Sequence, residues 1–174
     1  YDEVYNVLDR YPKLNATFAH FFFLSDFPDE AEKFLSTYSN VSLDITPGRE
    51  MYDYFSRRRD TWKAFFTKYA DRIVFGTDMT ADEFQGGVGD ILSTMRRFLA
   101  TDDVFTFWDF TIRGLDLPKD AVEKIEGDNF ARMVAPTPKP MNKPKLARYV
   151  EHSLPLVRDE SDRKWLADFF EKNL

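Results

Sequence analysis

Residues 62–78 read Trp62-Lys-Ala-Phe-Phe-Thr-Lys-Tyr69, then Ala70-Asp-Arg-Ile-Val-Phe-Gly-Thr-Asp78. Apolar side chains at 62, 65, 66 and 69 follow the i, i+3, i+4, i+7 spacing of a helix that lies on a sheet. After Tyr69 the pattern changes to that of a β-strand, Arg72 to Phe75, which leads through Gly76 to a carboxylate. The same unit occurs twice upstream. Val4/Val7/Leu8/Tyr11 precedes a strand from Leu14 to His20, and Ala31/Phe34/Leu35/Tyr38 precedes a strand from Val41 to Ile45. Helix and strand alternating at this pace predict an α/β fold with about three βα units and a parallel sheet. Ligands in such folds bind at the carboxyl ends of the strands, so His20, Asp44 and Asp78 are expected to gather at one end.

Each of the three has its own chemistry. His20 shares strand parity with Leu14, Ala16 and Phe18, which predicts an inward-facing imidazole. Asp78 follows Gly76, whose missing side chain lets another group approach the backbone closely. A carboxylate buried there needs a cation, a proton or strong donors. Asp44 stands in Ser42-Leu-Asp44-Ile-Thr46-Pro-Gly48, where it is either a turn acceptor or a substrate-binding residue at the cavity margin.

A chain of 174 residues with 43% hydrophobic content is long and apolar enough for a substantial core. Its net charge of −6 argues against a nucleic-acid partner, because that affinity is mostly phosphate neutralisation. The triplet Arg57-Arg58-Arg59 is expected to be a solvated surface turn. The longest apolar run, Phe18 to Leu24, is interrupted by His20 and is far short of a membrane span, so no membrane partner is expected. Zero cysteines exclude thiolate nucleophiles and Cys-ligated zinc, and with no export leader visible the expected location is the cytoplasm.

Beyond Asp78, the Gly-rich segment Met79 to Gly89 suits a mobile loop but lacks the lysine of a phosphate loop. Ile91, Leu92, Met95, Phe98 and Leu99 form a further one-sided helix. The aromatic segment Asp102 to Ile112 is expected to wedge into the core or to wall a pocket. Pro118 suits a helix start, with Ala121, Val122 and Ile125 buried and Gly127 as the stop. Asp128 and Asn129 offer an N-cap for a short helix, Phe130 to Val134. Residues 136–144 are a Pro-rich strap, and residues 145–174 a helical extension with helices from Lys145 to about Ser153 and from Ser161 to Asn173.

The set Ala19-His20-Phe21, Asn40-Val-Ser-Leu-Asp44, Asp71-Arg-Ile-Val-Phe-Gly-Thr-Asp78, Arg113-Gly-Leu-Asp-Leu-Pro118 and Gly127-Asp-Asn129-Phe-Ala-Arg132 resembles the C-terminal part of the amidohydrolase-related family. The resemblance is to the branch of the metal-dependent hydrolases that includes aminocarboxymuconate-semialdehyde decarboxylase, and it covers residues 1–135. It implies that this chain supplies strands six to eight of a (β/α)8 TIM-type barrel, followed by extra helices. It further implies that Asp78 and His20 are the catalytic and metal-binding residues, with a divalent metal, Zn²⁺ by preference, in the complete barrel. The family's first strand brings a His-x-His pair and its fifth another metal histidine. This chain has only His20 and His152, so a fragment of a longer enzyme is expected.

The function implied is that of a hydrolase or decarboxylase acting on a small carboxylate, amide, ester or lactone, with the missing N-terminal part of the barrel or a second copy as partner. The alternative is a non-catalytic αβ module or remnant domain that pairs with another chain through its exposed sheet edge.

Overall fold

The structure is a computed structural model that describes residues 1–48, 50–79, 88–134, 137 and 140–173, the side chains of Val88 and Asn173 excepted. The chain divides into two units, Tyr1–Val134 and Ala135–Leu174. The expected loop from Met79 to Gly89 falls mostly on residues 80–87, outside the described residues, as do residues 136, 138 and 139 of the Pro-rich strap.

In the first unit, helix α1 (Asp2–Arg10) leads to strand β1 (Ala16–Phe18), α2 (Pro28–Thr37) to β2 (Val41–Asp44), and α4 (Arg59–Lys68) to β3 (Ile73–Val74). A short α3 (Met51–Arg57) precedes α4. The strands form one parallel sheet in the order β1-β2-β3, with Phe18 opposite Leu43 and Asp44 opposite Val74. Val41, Ser42 and Leu43 of the central strand are all buried, as a strand covered on both faces requires. Helix α2 starts with Pro28 in its first turn, followed by Asp29 and Glu30, which complement the positive end of the helix dipole.

The stripe on α4 is buried throughout, at Trp62, Phe65, Phe66 and Tyr69. That on α1 is shifted. Leu8 is buried and Val4 and Tyr5 pack against the core, whereas Val7 and Tyr11 are exposed, so the helix turns a neighbouring face inward. The aromatic core centres on Phe21, whose ring meets Phe55 at 4.9 Å, Trp62 at 5.4 Å, Phe65 at 5.8 Å and Phe66 at 5.6 Å.

Helix α5 (Val88–Ala100) is followed by an antiparallel hairpin, β4 (Val104–Phe107) with β5 (Phe110–Arg113). The aromatic segment is therefore a hairpin whose Phe107 and Ile112 enter the core, while Trp108 at the turn takes a left-handed φ of 50°. Beyond β5, the amides of Leu115 and Leu117 donate to the carbonyls of Phe98 and Leu99 at the end of α5. Arg59, expected in solvent, is only 18% exposed and donates to the carbonyls of Gly114 and Leu115. Arg57 pairs with Asp53, and Arg58 bonds the Asp26 carbonyl. Arg57 and Arg58 are exposed as a surface turn predicts, and Arg59 alone of the triplet is a tether, because the fold brings the 114–115 carbonyls to it.

Gly127 does not stop a helix. Helix α6 (Lys119–Glu123) runs through a π-turn at Lys124–Asp128 directly into α7 (Asn129–Met133). Asp128 is helical and makes no capping bond, and Asn129 is fully buried. The Asn129 amide instead donates to the carbonyls of Ala70 and Ile73, each at 2.7 Å. The Phe75 amide donates to Ile125 O at 3.1 Å, so the outer edge of β3 is satisfied by the π-turn and α7. Arg72 holds the inner side. Its guanidinium donates to the carbonyls of Leu35 and Val41 at 2.6 Å and to that of Tyr38, closing the end of α2 onto β2.

The second unit contains α8 (Lys143–Ser153) and α9 (Glu160–Asn173). The Asn142 side chain caps α8 by accepting from Lys145 N. On α9 the rings of Trp165 and Phe169 stack at 5.5 Å. Among the described residues, no helix is long and apolar enough to cross a membrane.

Candidate active site

The chain leaves β1 at Ala19, before His20, and the strand parity expected for the histidine does not apply. From His20 to Phe23 four successive residues are left-handed, with φ of 51°, 55°, 53° and 57°. Each such residue costs about 1–2 kcal/mol in an L-chain. Burial of the Phe21 ring, at about 1.5–3 kcal/mol, and its edge contacts, at about 0.5–1.5 kcal/mol each, offset that cost. The turn sends Phe21 into the core while the adjacent His20 remains 28% exposed at its side chain.

Asp44 is the last residue of β2, the central strand, so it lies between the ends of β1 and β3. Its Oδ1 accepts the His20 amide at 2.9 Å and the Thr46 amide at 3.0 Å. His20 Nδ1 meets Thr46 O at 3.2 Å. A carbonyl only accepts, so Nδ1 carries the proton and the lone pair of the neutral ring is on Nε2. That nitrogen stands 3.9 Å from Asp78 Oδ2.

Asp78 arrives from the far side of the sheet, four residues past β3, in a left-handed conformation with φ of 55°. At 65% side-chain exposure its carboxylate is solvated, and the burial that would have demanded a cation is absent. Gly76 lets Thr46 pack onto its backbone: a Cβ there would lie 2.1 Å from Thr46 Oγ1 and 3.6 Å from Asp44 Oδ2.

Below the site Tyr52 is fully buried and donates its hydroxyl to Ile45 O at 2.8 Å. Burial first, and the nearby Asp44 carboxylate second, push its phenol well above the ordinary tyrosine range. A cavity of about 300 Å³ opens beside His20, lined also by Phe23, Ser25, Gly48, Glu50, Met51 and Tyr54. A larger cavity, about 500 Å³, lies elsewhere, at the amino ends of the strands among Asn15, Ser39 and Arg132. It is remote from the histidine, which the smaller one adjoins.

The three expected residues therefore converge, with His20 and Asp78 face to face and Asp44 holding the backbone between them. Thr46, Tyr52 and the cavity wall were not foreseen. Thr46 had only its place two residues after Asp44 to mark it, and Tyr52 sits on a helix whose apolar spacing resembles any core stripe.

His20 Nε2 and Asp78 are two groups able to ligate a metal, whereas a catalytic zinc takes about three ligands from protein. Among the described residues no group of three or more His, Cys, Asp or Glu side chains is arranged so that it could hold a metal ion.

No curated protein and no solved structure matches the chain. The family model for amidohydrolases matches residues 2–135, which is most of the first unit's length and well over half of the chain.

Proposed function

Because the chain belongs to the amidohydrolase family, a hydrolase family whose members usually use divalent metal ions, we propose that His20 and Asp78 form part of a metal-dependent hydrolytic or decarboxylating centre. Its substrate is a small carboxylate, amide, ester or lactone. The observation that carries this reading is the 3.9 Å approach of His20 Nε2 to Asp78 Oδ2 at the carboxyl ends of parallel strands. Two acceptor atoms face each other there, an arrangement that a proton or a cation between them makes favourable.

His20 and Asp78 are the residues that would hold the metal, which when bound polarises a substrate oxygen or acidifies a water. The remaining ligands come from outside the described residues, in keeping with a chain that contributes strands six to eight of a (β/α)8 barrel. The solvated Asp78 carboxylate exchanges a proton between water and substrate. His20, its Nδ1 proton committed to Thr46 O, presents Nε2 to the substrate, and Asp44 Oδ2, which accepts no bond among the described residues, would accept one from it. Among the described residues no strand pairs with the outer edge of β1, which the preceding barrel strand would cover. A neighbour beside β3 would have to take over the Phe75 amide from Ile125.

The open edge of β1 also favours a second reading, a non-catalytic module that pairs with another chain. Metal analysis and turnover on the protein joined to its upstream sequence separate the two. Asp78→Asn keeps the shape and removes the proton acceptor, so turnover should fall by at least ~10²-fold. His20→Ala should also lower turnover. Wild-type turnover in Asp78→Asn sinks the mechanism, and a protein that neither retains metal nor turns over any substrate of these classes supports the module.

A further inference from the structure

We propose that Asp44 is the positioning residue of this centre: one of its carboxylate oxygens sets both the place of His20 and the tautomer of its ring. The inference rests on His20 belonging to the reacting centre, but its test needs no turnover.

The geometry gives Asp44 this role in two ways. The His20 amide lies just past the end of β1 and at the first left-handed residue of the turn, where a strand ladder has no acceptor for it. Asp44 Oδ1 accepts that amide at 2.9 Å, which fixes the main chain as it changes hand. The same oxygen accepts the Thr46 amide at 3.0 Å. Thr46 then offers its own carbonyl to His20 Nδ1 at 3.2 Å.

A single anionic acceptor therefore holds the histidine from both sides, through its backbone directly and through its ring by way of Thr46. Two charge-assisted bonds to one oxygen are stronger than two bonds to a neutral acceptor. The Thr46 carbonyl in turn requires Nδ1 to be the protonated nitrogen, leaving Nε2 bare toward Asp78. Without Asp44, the bond from His20 Nδ1 to Thr46 O is the one hydrogen bond left among the described residues between His20 and the 45–46 turn, and the backbone at the end of β1 loses its anchor. The ring would be free to rotate and to take the other tautomer.

The test uses the full chain with ¹⁵N-labelled histidine at a fixed pH where imidazole is neutral, comparing wild type, Asp44→Ala and Asp44→Asn. In the wild type, long-range ¹H–¹⁵N spectra should show His20 as the Nδ1–H form. Asp44→Ala should move most of it to Nε2–H and raise amide exchange at His20 and Thr46 at least ~10-fold, as local opening does. His152, in α8, serves as the internal control and should not change. Asp44→Asn keeps an oxygen acceptor and should restore the Nδ1–H form, with exchange at the two amides between the other proteins.

An unchanged tautomer together with unchanged exchange in Asp44→Ala overturns the proposal. If Asp44→Ala does not fold, Asp44→Asn decides. Faster exchange confined to His20 and Thr46 supports the role, and a change spread evenly along β1 and β2, or none, overturns it. Failure of the hydrolase reading would leave all of these outcomes intact, so the two are distinguishable.

Discussion

Gly76 and Thr46 are packed so tightly that a Cβ on Gly76 would stand 2.1 Å from the threonine hydroxyl. The contact joins the segment that carries Asp78 to the residue whose carbonyl holds the His20 ring. Gly76→Ala should therefore destabilise the first unit by about 1–3 kcal/mol, the usual cost of overpacking. Urea unfolding measures this, and a midpoint equal to that of the wild type would show that Thr46 moves aside freely.

Asn129→Ala should be more damaging than its place on a five-residue helix suggests. It leaves the Ala70 and Ile73 carbonyls without their donor in the interior, at a cost of about 2–5 kcal/mol for the two together. Chemical denaturation of the two proteins is the measurement. A loss below 1 kcal/mol, which is small on that scale, would mean that water replaces the amide.

Tyr52 gives a pH prediction with a definite sign. Its folded phenol is raised by burial, so above about pH 10 the unfolded chain releases a proton that the folded chain retains. Stability should fall as pH rises from about 10 toward the folded value. Tyr52→Phe should be less stable at neutral pH, through loss of the bond to Ile45 O, but should show a shallower alkaline decline. Thermal melts between pH 8 and 11 test this, and parallel curves would contradict it.

Metal affinity is the fourth expectation. Two ligands release little of the ~10–16 kcal/mol seen when a complete structural zinc set closes. The 174-residue chain alone should therefore bind Zn²⁺ weakly, as read by competition with a chromogenic chelator. Tight one-to-one binding would reveal ligands beyond His20 and Asp78.

The αβ alternation was legible because burial of one helix face leaves a periodic trace, clearest at Trp62, Phe65, Phe66 and Tyr69. It also brought His20, Asp44 and Asp78 to the same end of the sheet, since parallel strands point their carboxyl ends together. What escaped was set by interactions between distant residues. The left-handed run from His20 to Phe23 arises from the pull of the Phe21 cage and of Asp44, against the local preference of four L-residues. Asn129 looked like a helix cap because its partners, Ala70 and Ile73, lie more than fifty residues away. Arg59 looked solvated because its carbonyl acceptors belong to the loop after β5.

That distance between Asn129 and β3 also orders events during synthesis. When Phe75 emerges from the ribosome, the groups on the outer edge of β3 have no partner yet, and they gain one only after the π-turn and Asn129 have been made. Through that interval a nascent chain presents a parallel sheet whose β3 edge is open, the condition in which strands pair between molecules. A pause in translation between residues 75 and 129 would lengthen that exposure. A product truncated before residue 129 would never end it.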